Sequence, residues 1–320
     1  MFDQIAVCCL KSSMRKKKAA LLSITSNTAL ITIKLIAGSI SGSISIISEA
    51  LHSLMDLAAS IIAYYSVKQA SQPADREHPF GHGKAENLSG LFEAMLLVVA
   101  AGIIIYESGR RIMYDGTVHH PSVAIVVMAI SSVVNIIVSR HLFKVSKETD
   151  SLALEADAKH LSADVYTSMG VLTGLLIVAQ TGLAVLDSIV AIIIALYIAY
   201  EGIGISRKSV RGLMDVRLPE KEERKIRAVL DGYKDELRNY HSLRTRKSGS
   251  ERHIDFHAVL CKDADISVSH NLMDRIEANL QKIFPGTKVL IHPEPCDHYD
   301  EEKCPSHCYW VGPINKEQEE

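Results

Sequence analysis

Two short segments, far apart in the chain, carry side chains at the spacing a metal site needs. The first reads Ser48-Glu49-Ala50-Leu51-His52-Ser53-Leu54-Met55-Asp56. His52 and Asp56 stand at i, i+4, so on a helix they share one face about 6 Å apart along the axis. Glu49 falls on the same stripe as an accessory candidate. The second segment, His160-Leu161-Ser162-Ala163-Asp164, repeats the pair. Two helices placed face to face would then offer two imidazoles and two carboxylates. Four nitrogen and oxygen ligands suit a tetrahedral divalent ion, zinc above all. The alternatives are two unrelated helix-packing pairs, or a proton relay without metal.

Further ligand-type residues gather elsewhere. The segment Pro73-Ala74-Asp75-Arg76-Glu77-His78-Pro79-Phe80-Gly81-His82-Gly83-Lys84 holds Asp75, His78 and His82, and Pro79 with Gly81 makes a bend that converges the two imidazoles. Near the C-terminus, His253, Asp255 and His257 alternate and so share one strand face. His241 belongs to the preceding strand and His270 to a helix, and His292 and Glu294 follow the last strand. His253 is expected at the surface, and Ile254, Phe256 and Val259 in the core. The tail offers Cys304 and Cys308 with His298 and His307, either a soft-metal clip or a mobile acidic tail; the Cys-x3-Cys spacing is a weak zinc signal.

These residues need elements to position them, and the composition says which. The chain has 320 residues, 48% of them hydrophobic and 22% charged, with mean hydropathy +0.12. A net charge of −2 gives no basic field for nucleic acid. Apolar runs near the length that crosses a bilayer, about 20 residues, recur before residue 207, at 17–38, 43–67, 86–109, 121–142, 153–180 and 183–206. Both His-x-x-x-Asp pairs lie inside such runs, where ionisable side chains are costly and mark function. Lys34 and Glu93 are also intramembrane; they pair with each other, or Lys34 snorkels to the outer interface. Asn27 and Asn135 are expected as helix–helix glue, and Gly170 as a point of close packing.

Lys and Arg crowd one set of connections: Lys11 to Lys18, Lys68 to Lys84, Arg140 to Lys147, and Arg207 to Arg211. The opposite connections offer only Arg110 and Arg111, so both termini are expected in the cytosol. No signal peptide is expected, and the cysteines, absent between residues 10 and 260, build no disulfide framework.

After residue 212 the apolar runs stop. Pro219 opens a helix, residues 240–247 and 252–261 alternate as strands around Ser248-Gly249-Ser250, 267–284 is helical and 287–292 is a final strand. The α-β-β-α-β order gives a small α+β layer. The expected organisation is a cytosolic segment at 1–16, a six-helix transmembrane domain at 17–208, a cytosolic α+β domain at 209–295 and a tail at 296–320. No His-Glu-x-x-His and no Gly-x-x-x-x-Gly-Lys-Ser/Thr is present, so neither metalloprotease chemistry nor ATP drive is expected.

The six runs, the His52/Asp56 and His160/Asp164 pairs, the His-Pro-Phe-Gly-His-Gly-Lys-Ala-Glu run at 78–86 and the C-terminal domain together resemble the cation diffusion facilitator family, most of all its bacterial zinc branch. The resemblance spans about 15 to 295. It implies a homodimer in the bilayer of a bacterial inner membrane, exporting divalent transition metal in exchange for protons. It implies that His52, Asp56, His160 and Asp164 form the transport site and that Asp75, His78 and His82 form a loop site. The C-terminal domain is then ferredoxin-like. There His241, His257, His292 and Glu294 hold regulatory Zn2+, with His270 reaching in from the partner protomer. Lys84 and Asp215 pair across the dimer. Many bacterial relatives carry Asp at the position of His52, and manganese members Asp at that of His160. Two imidazoles therefore favour zinc, with cadmium and cobalt following.

Overall fold

The computed structural model describes residues 2–41, 44–114, 122–181 and 185–296. Among the described residues its contacts form two compact units, which meet in sequence between Met214 and Asp215.

The first unit is six long helices: α1 (Phe2–Ser41), α2 (Ile44–Ala70), α3 (Ala85–Tyr114), α4 (Ser122–Thr149), α5 (Leu152–Thr181) and α6 (Val185–Leu213). Three stretches among the described residues, Lys11–Ile36, Ala85–Met113 and Val185–Leu213, are long and apolar enough to cross a membrane. The N-terminal half of α5 holds Glu155, Asp157, Lys159 and Asp164, and that charge keeps its hydropathy down. The apolar packing falls into two clusters. One joins Ala19 and Ala20 of α1, Val67 of α2, Val138, Leu142 and Val145 of α4, and Leu154, Ala158 and Leu161 of α5. The other joins Ala94, Leu97 and Ala101 of α3 to Ala195, Ile198 and Ile205 of α6, with Ala156 and Ala163 of α5. Helix α5 contributes to both, which places it between an α1/α2/α4 group and an α3/α6 pair. Small residues set the approach of the helices: a Cβ on Gly202 would meet Ala94 O at 3.2 Å, and one on Gly170 would run into Ile194.

The second unit has the order α7 (Glu220–Asp231), β1 (Asn239–Ser248), β2 (Glu251–Leu260), α8 (Ile266–Ile283), β3 (Lys288–Pro295). Pro219 is the residue before α7 rather than its first turn. The sheet order is β1-β2-β3, antiparallel between β1 and β2 and parallel between β2 and β3. The parallel pair requires a crossover, which α8 supplies. Ile254, Phe256, Ala258 and Leu260, alternate residues of β2, are buried against Ile226 and Leu230 of α7 and Leu272, Ile276 and Leu280 of α8. Both helices therefore cover one sheet face and leave the odd-numbered residues of β2 on the other. Val259 accordingly lies only half-buried, outside the core expected for it.

Asp265 caps α8, its Oδ1 accepting from Ser267 N at 2.7 Å and from Ser267 Oγ at 2.7 Å. Those bonds hold its carboxyl below the ordinary range. A group with a depressed folded pKa contributes stability above its unfolded pKa and loses it as pH falls through the folded one. Asp265→Ala is expected to deprotect the first-turn amides of α8 in hydrogen exchange at neutral pH, and to make little difference once the wild-type carboxyl is protonated. Equal deprotection at both pH values would remove the ionised cap as the cause.

Candidate metal sites

Helices α2 and α5 run antiparallel and bring two of their polar residues into direct contact. His160 Nε2 lies 3.1 Å from Asp56 Oδ1, and both side chains are buried. Asp56, His160 and Asp164 each present a donor atom within 4.8 Å of the others. The α-helical i, i+4 spacing of His160 and Asp164 puts both on one stripe, and the crossing of the two helices supplies the third group. His52 and Glu49 occupy helical positions in α2, and their side chains lie outside the described ones. One carboxylate is itself held: Asn135 Nδ2 of α4 donates to Asp164 Oδ2 at 3.5 Å. Asn135, expected only as interhelical glue, thus orients a ligand-type oxygen. Asn27 has the related place on α1, donating to Ser60 Oγ at 2.8 Å and Asp56 O at 3.5 Å. Lys34 does not snorkel. It is buried and donates to Ser53 Oγ at 2.7 Å.

The second cluster follows α2. Asp75 Oδ1 accepts from the backbone N–H of His78 at 2.6 Å and of Glu77 at 3.0 Å, an Asx turn that folds the loop back. The His78 amide is the chief reason the Asp75 carboxyl lies below the ordinary range. Gly81 takes φ +81°, the left-handed region a glycine enters without strain. The result sets the rings of His78 and His82 4.3 Å apart, with His78 Nδ1 3.3 Å and His82 Nε2 3.4 Å from the Asp75 carboxylate. All three donors lie within 4.8 Å.

The third cluster is built by strand register. His241, His257 and His292 are direct neighbours across β1, β2 and β3, on the sheet face that the helices leave open. Their rings are 5.1 Å and 4.9 Å apart in turn. Glu294, two residues along β3, lies on the same face. Its Oε2 is 2.8 Å from His241 Nε2, its Oε1 is 2.7 Å from His257 Nδ1, and His292 Nε2 stands 4.0 Å away. Hydrogen bonds with His241 first and His257 second hold the Glu294 carboxyl below its ordinary range. His241, His257 and Glu294 each bring a donor atom within 4.8 Å of the others. His270 is elsewhere, exposed on α8 and paired with Asp274 at 3.2 Å. His253, expected at the surface, is instead buried. Desolvation, followed by the Arg246 charge, depresses its pKa.

Lys84 Nζ donates to Leu213 O at 3.3 Å, and Asp215 pairs with Arg246 at 3.3 Å. Cys304 and Cys308 lie outside the described residues, as do His298 and His307.

Comparison with known proteins fits this layout. Residues 20–214 match the cation efflux transmembrane domain, and residues 218–296 match the cytoplasmic domain of cation efflux proteins. The chain belongs to the cation efflux family. Among relatives, the uncharacterized transporter sll1263 of Synechocystis is 31% identical over 93% of this chain and 96% of its own length. The cation-efflux pump FieF of Pectobacterium atrosepticum is 34% identical over 79% of this chain and 84% of its own. A solved structure of CzrB in its zinc form is 35% identical over 25% of this chain and 92% of that one, with a TM-score of 0.25. Membership makes the chain an integral membrane protein of a metal-efflux family, with a helical membrane domain followed by a cytoplasmic domain.

Proposed function

We propose that this cation efflux protein exports divalent transition metal, zinc by preference, from the cytosol of a bacterium by proton antiport, working as a homodimer. The observation that carries the reading is the meeting of buried Asp56 and His160 with half-buried Asp164 on two helices of the membrane unit. His52, one turn before Asp56 on α2, supplies the fourth ligand. Two imidazoles and two carboxylates suit zinc, then cobalt and cadmium, over harder ions.

The chemistry of exchange follows from the same atoms. A hydrogen bond between His160 Nε2 and Asp56 Oδ1 needs a proton on one of them, and metal binding requires that proton to leave. Proton and cation therefore occupy this place in alternation. Six spans, both termini in the cytosol, let the site open first to the cytosol and then outward. The proton gradient drives net exchange, and the two states must differ in metal affinity for it to occur.

The remaining assignments follow this reading. Asp75, His78 and His82 hold metal at the loop. His241, His257, His292 and Glu294 of a ferredoxin-like cytosolic domain hold regulatory Zn2+, with the partner's copy of His270 completing the set. That site couples cytosolic metal to the dimer, and Lys84 and Asp215 pair across it. The 209–295 region is the regulatory domain and 17–208 the transport domain, in the bacterial inner membrane.

The deciding experiment is zinc flux in proteoliposomes under an imposed pH gradient. Flux is expected to follow the gradient, reverse with it and stop when an ionophore collapses it. Zinc binding without gradient-dependent flux would replace the transporter with a membrane metal receptor.

A further inference from the structure

The open sheet face carries more than the imidazole cluster. The parallel ladder between β2 and β3 ends at Leu260 opposite Pro295. One further bond, Cys296 N donating to Leu260 O at 2.9 Å, keeps the exits of the two strands together. The next residue on each strand is a cysteine, Cys261 on one and Cys296 on the other. Alternation runs through both positions. His257, Val259 and Cys261 are half-buried around buried Ala258 and Leu260, and Cys296 is half-buried like Glu294. Both thiols therefore stand on the face of His257 and Glu294, the face that α7 and α8 leave open. They lie one strand repeat, about 7 Å, beyond Glu294. Neighbouring strands are about 4.8 Å apart, so rotation about the two χ1 bonds sets the sulfurs on either side of one ion. Neither cysteine is in a disulfide.

Compartment and chemistry choose between the uses of such a pair. The strands belong to a cytoplasmic domain. Cytosolic thiols are kept reduced, which favours metal binding over a structural bridge. Thiolates select soft cations, whereas the carboxylate and imidazoles of the neighbouring cluster suit borderline ones. Zinc sites take four ligands, and two sulfurs fall short of that number. Monovalent copper is satisfied by two thiolates in line. We infer that Cys261 and Cys296 form a dithiolate site for a soft, thiophilic cation, Cu+ first, separate from the His241, His257 and Glu294 cluster on the same sheet face. Binding displaces the two thiol protons to water, and the ion then bridges the ends of β2 and β3. The inference goes beyond the transport reading and does not depend on it.

The test uses full-length protein in detergent, without oxygen, carrying Cys8→Ser, Cys9→Ser, Cys304→Ser and Cys308→Ser, so that Cys261 and Cys296 are the remaining thiols. Cu+ is offered as a coloured chelate, and its transfer to the protein is read as loss of colour. One ion per chain is expected to transfer. Adding Cys261→Ser or Cys296→Ser should each weaken Cu+ binding at least about a hundredfold, since even an outer partner of a metal ligand costs about 10–100-fold. X-ray absorption at the copper edge of the loaded protein should show sulfur neighbours alone. Transfer that survives either serine variant overturns the inference, as does transfer that needs the cysteines already replaced. Nitrogen or oxygen in the copper shell would move the ion to the imidazole cluster. Two thiols that react with a thiol reagent only after chemical reduction would make the pair a disulfide, and the metal site would fall.

Discussion

Asp56→Ala is expected to reduce gradient-driven zinc flux to the level of empty liposomes, a fall of at least about a hundredfold. Two losses combine. The variant removes a carboxylate oxygen from the proposed set of four, and zinc sites in proteins seldom hold with fewer than four ligands unless water fills the gap. It also strips His160 of the group 3.1 Å from its Nε2. Partners of metal-binding imidazoles fix the ring's orientation, and losing one costs about 10–100-fold in affinity before the direct ligand is counted. Asp56 and His160 are both buried, so bulk water cannot substitute freely for the missing Asp56 oxygen. His160→Ala should match it. His160→Asp is the more informative companion: exchanging imidazole for carboxylate hardens the set and should raise the rate with Mn2+ relative to Zn2+. The comparison needs the protein's expression, its oligomeric state and the metal binding of its cytosolic domain to be equal across variants. Flux persisting in Asp56→Ala at even a tenth of the wild-type rate would move the transport site away from the α2/α5 crossing.

That crossing was partly legible in the sequence. Helical periodicity puts His160 and Asp164 on one face, and the same rule puts His52 and Asp56 on another, because i, i+4 geometry is local. The cytosolic cluster was legible for a similar reason. Alternation assigns His257 to the face away from Phe256, and the hairpin at Ser248-Gly249-Ser250 returns β1 alongside β2, with His241 opposite His257. The misses share a cause. His253 obeys the same alternation as His257, yet it is buried, because the neighbours that cover it are set by tertiary packing rather than by strand period. Lys34 finds Ser53 on α2, and Asn135 finds Asp164 on α5; each pairing depends on helix rotation and crossing, which no spacing along one helix encodes. Asp157 is the clearest example. In sequence it is one of several charges at the polar start of a helix, and only the antiparallel fit of α2 shows that it is sealed in beside Ser60.

The same limit hides a buried ion pair in the membrane unit that should be costly to break from one side. Lys16 of α1 reads in the sequence as one of four consecutive basic residues at a membrane border, the usual position of exposed charge. In the fold its Nζ lies 2.8 Å from Glu86 Oε1 of α3, with side-chain exposures of 6% and 1%. The other Glu86 oxygen accepts from Ser151 Oγ at 2.6 Å, at the start of α5. One carboxylate thus ties α1 to the starts of α3 and α5, with both of its oxygens engaged. Removing one partner of such a pair leaves the other charge buried and uncompensated, which costs about 3–5 kcal/mol. Glu86→Ala is therefore expected to lower the midpoint of thermal unfolding by roughly 6–20 °C in a unit of this size, and Lys16→Ala by a comparable amount. A double replacement, Lys16→Met with Glu86→Leu, should recover most of the loss. Apolar side chains of similar volume have no charge to desolvate, and a buried pair adds little net stability over such a substitute. Scanning calorimetry of the detergent-solubilised full chain distinguishes the outcomes. A loss below about 1 kcal/mol for Glu86→Ala is the size of an exposed surface pair, and would mean that water reaches this junction between α1, α3 and α5. Recovery in the double variant would show that the cost of each single change lies in the stranded charge. Failure to recover would assign it instead to the geometry that the Lys16–Glu86–Ser151 connection imposes on α1, α3 and α5.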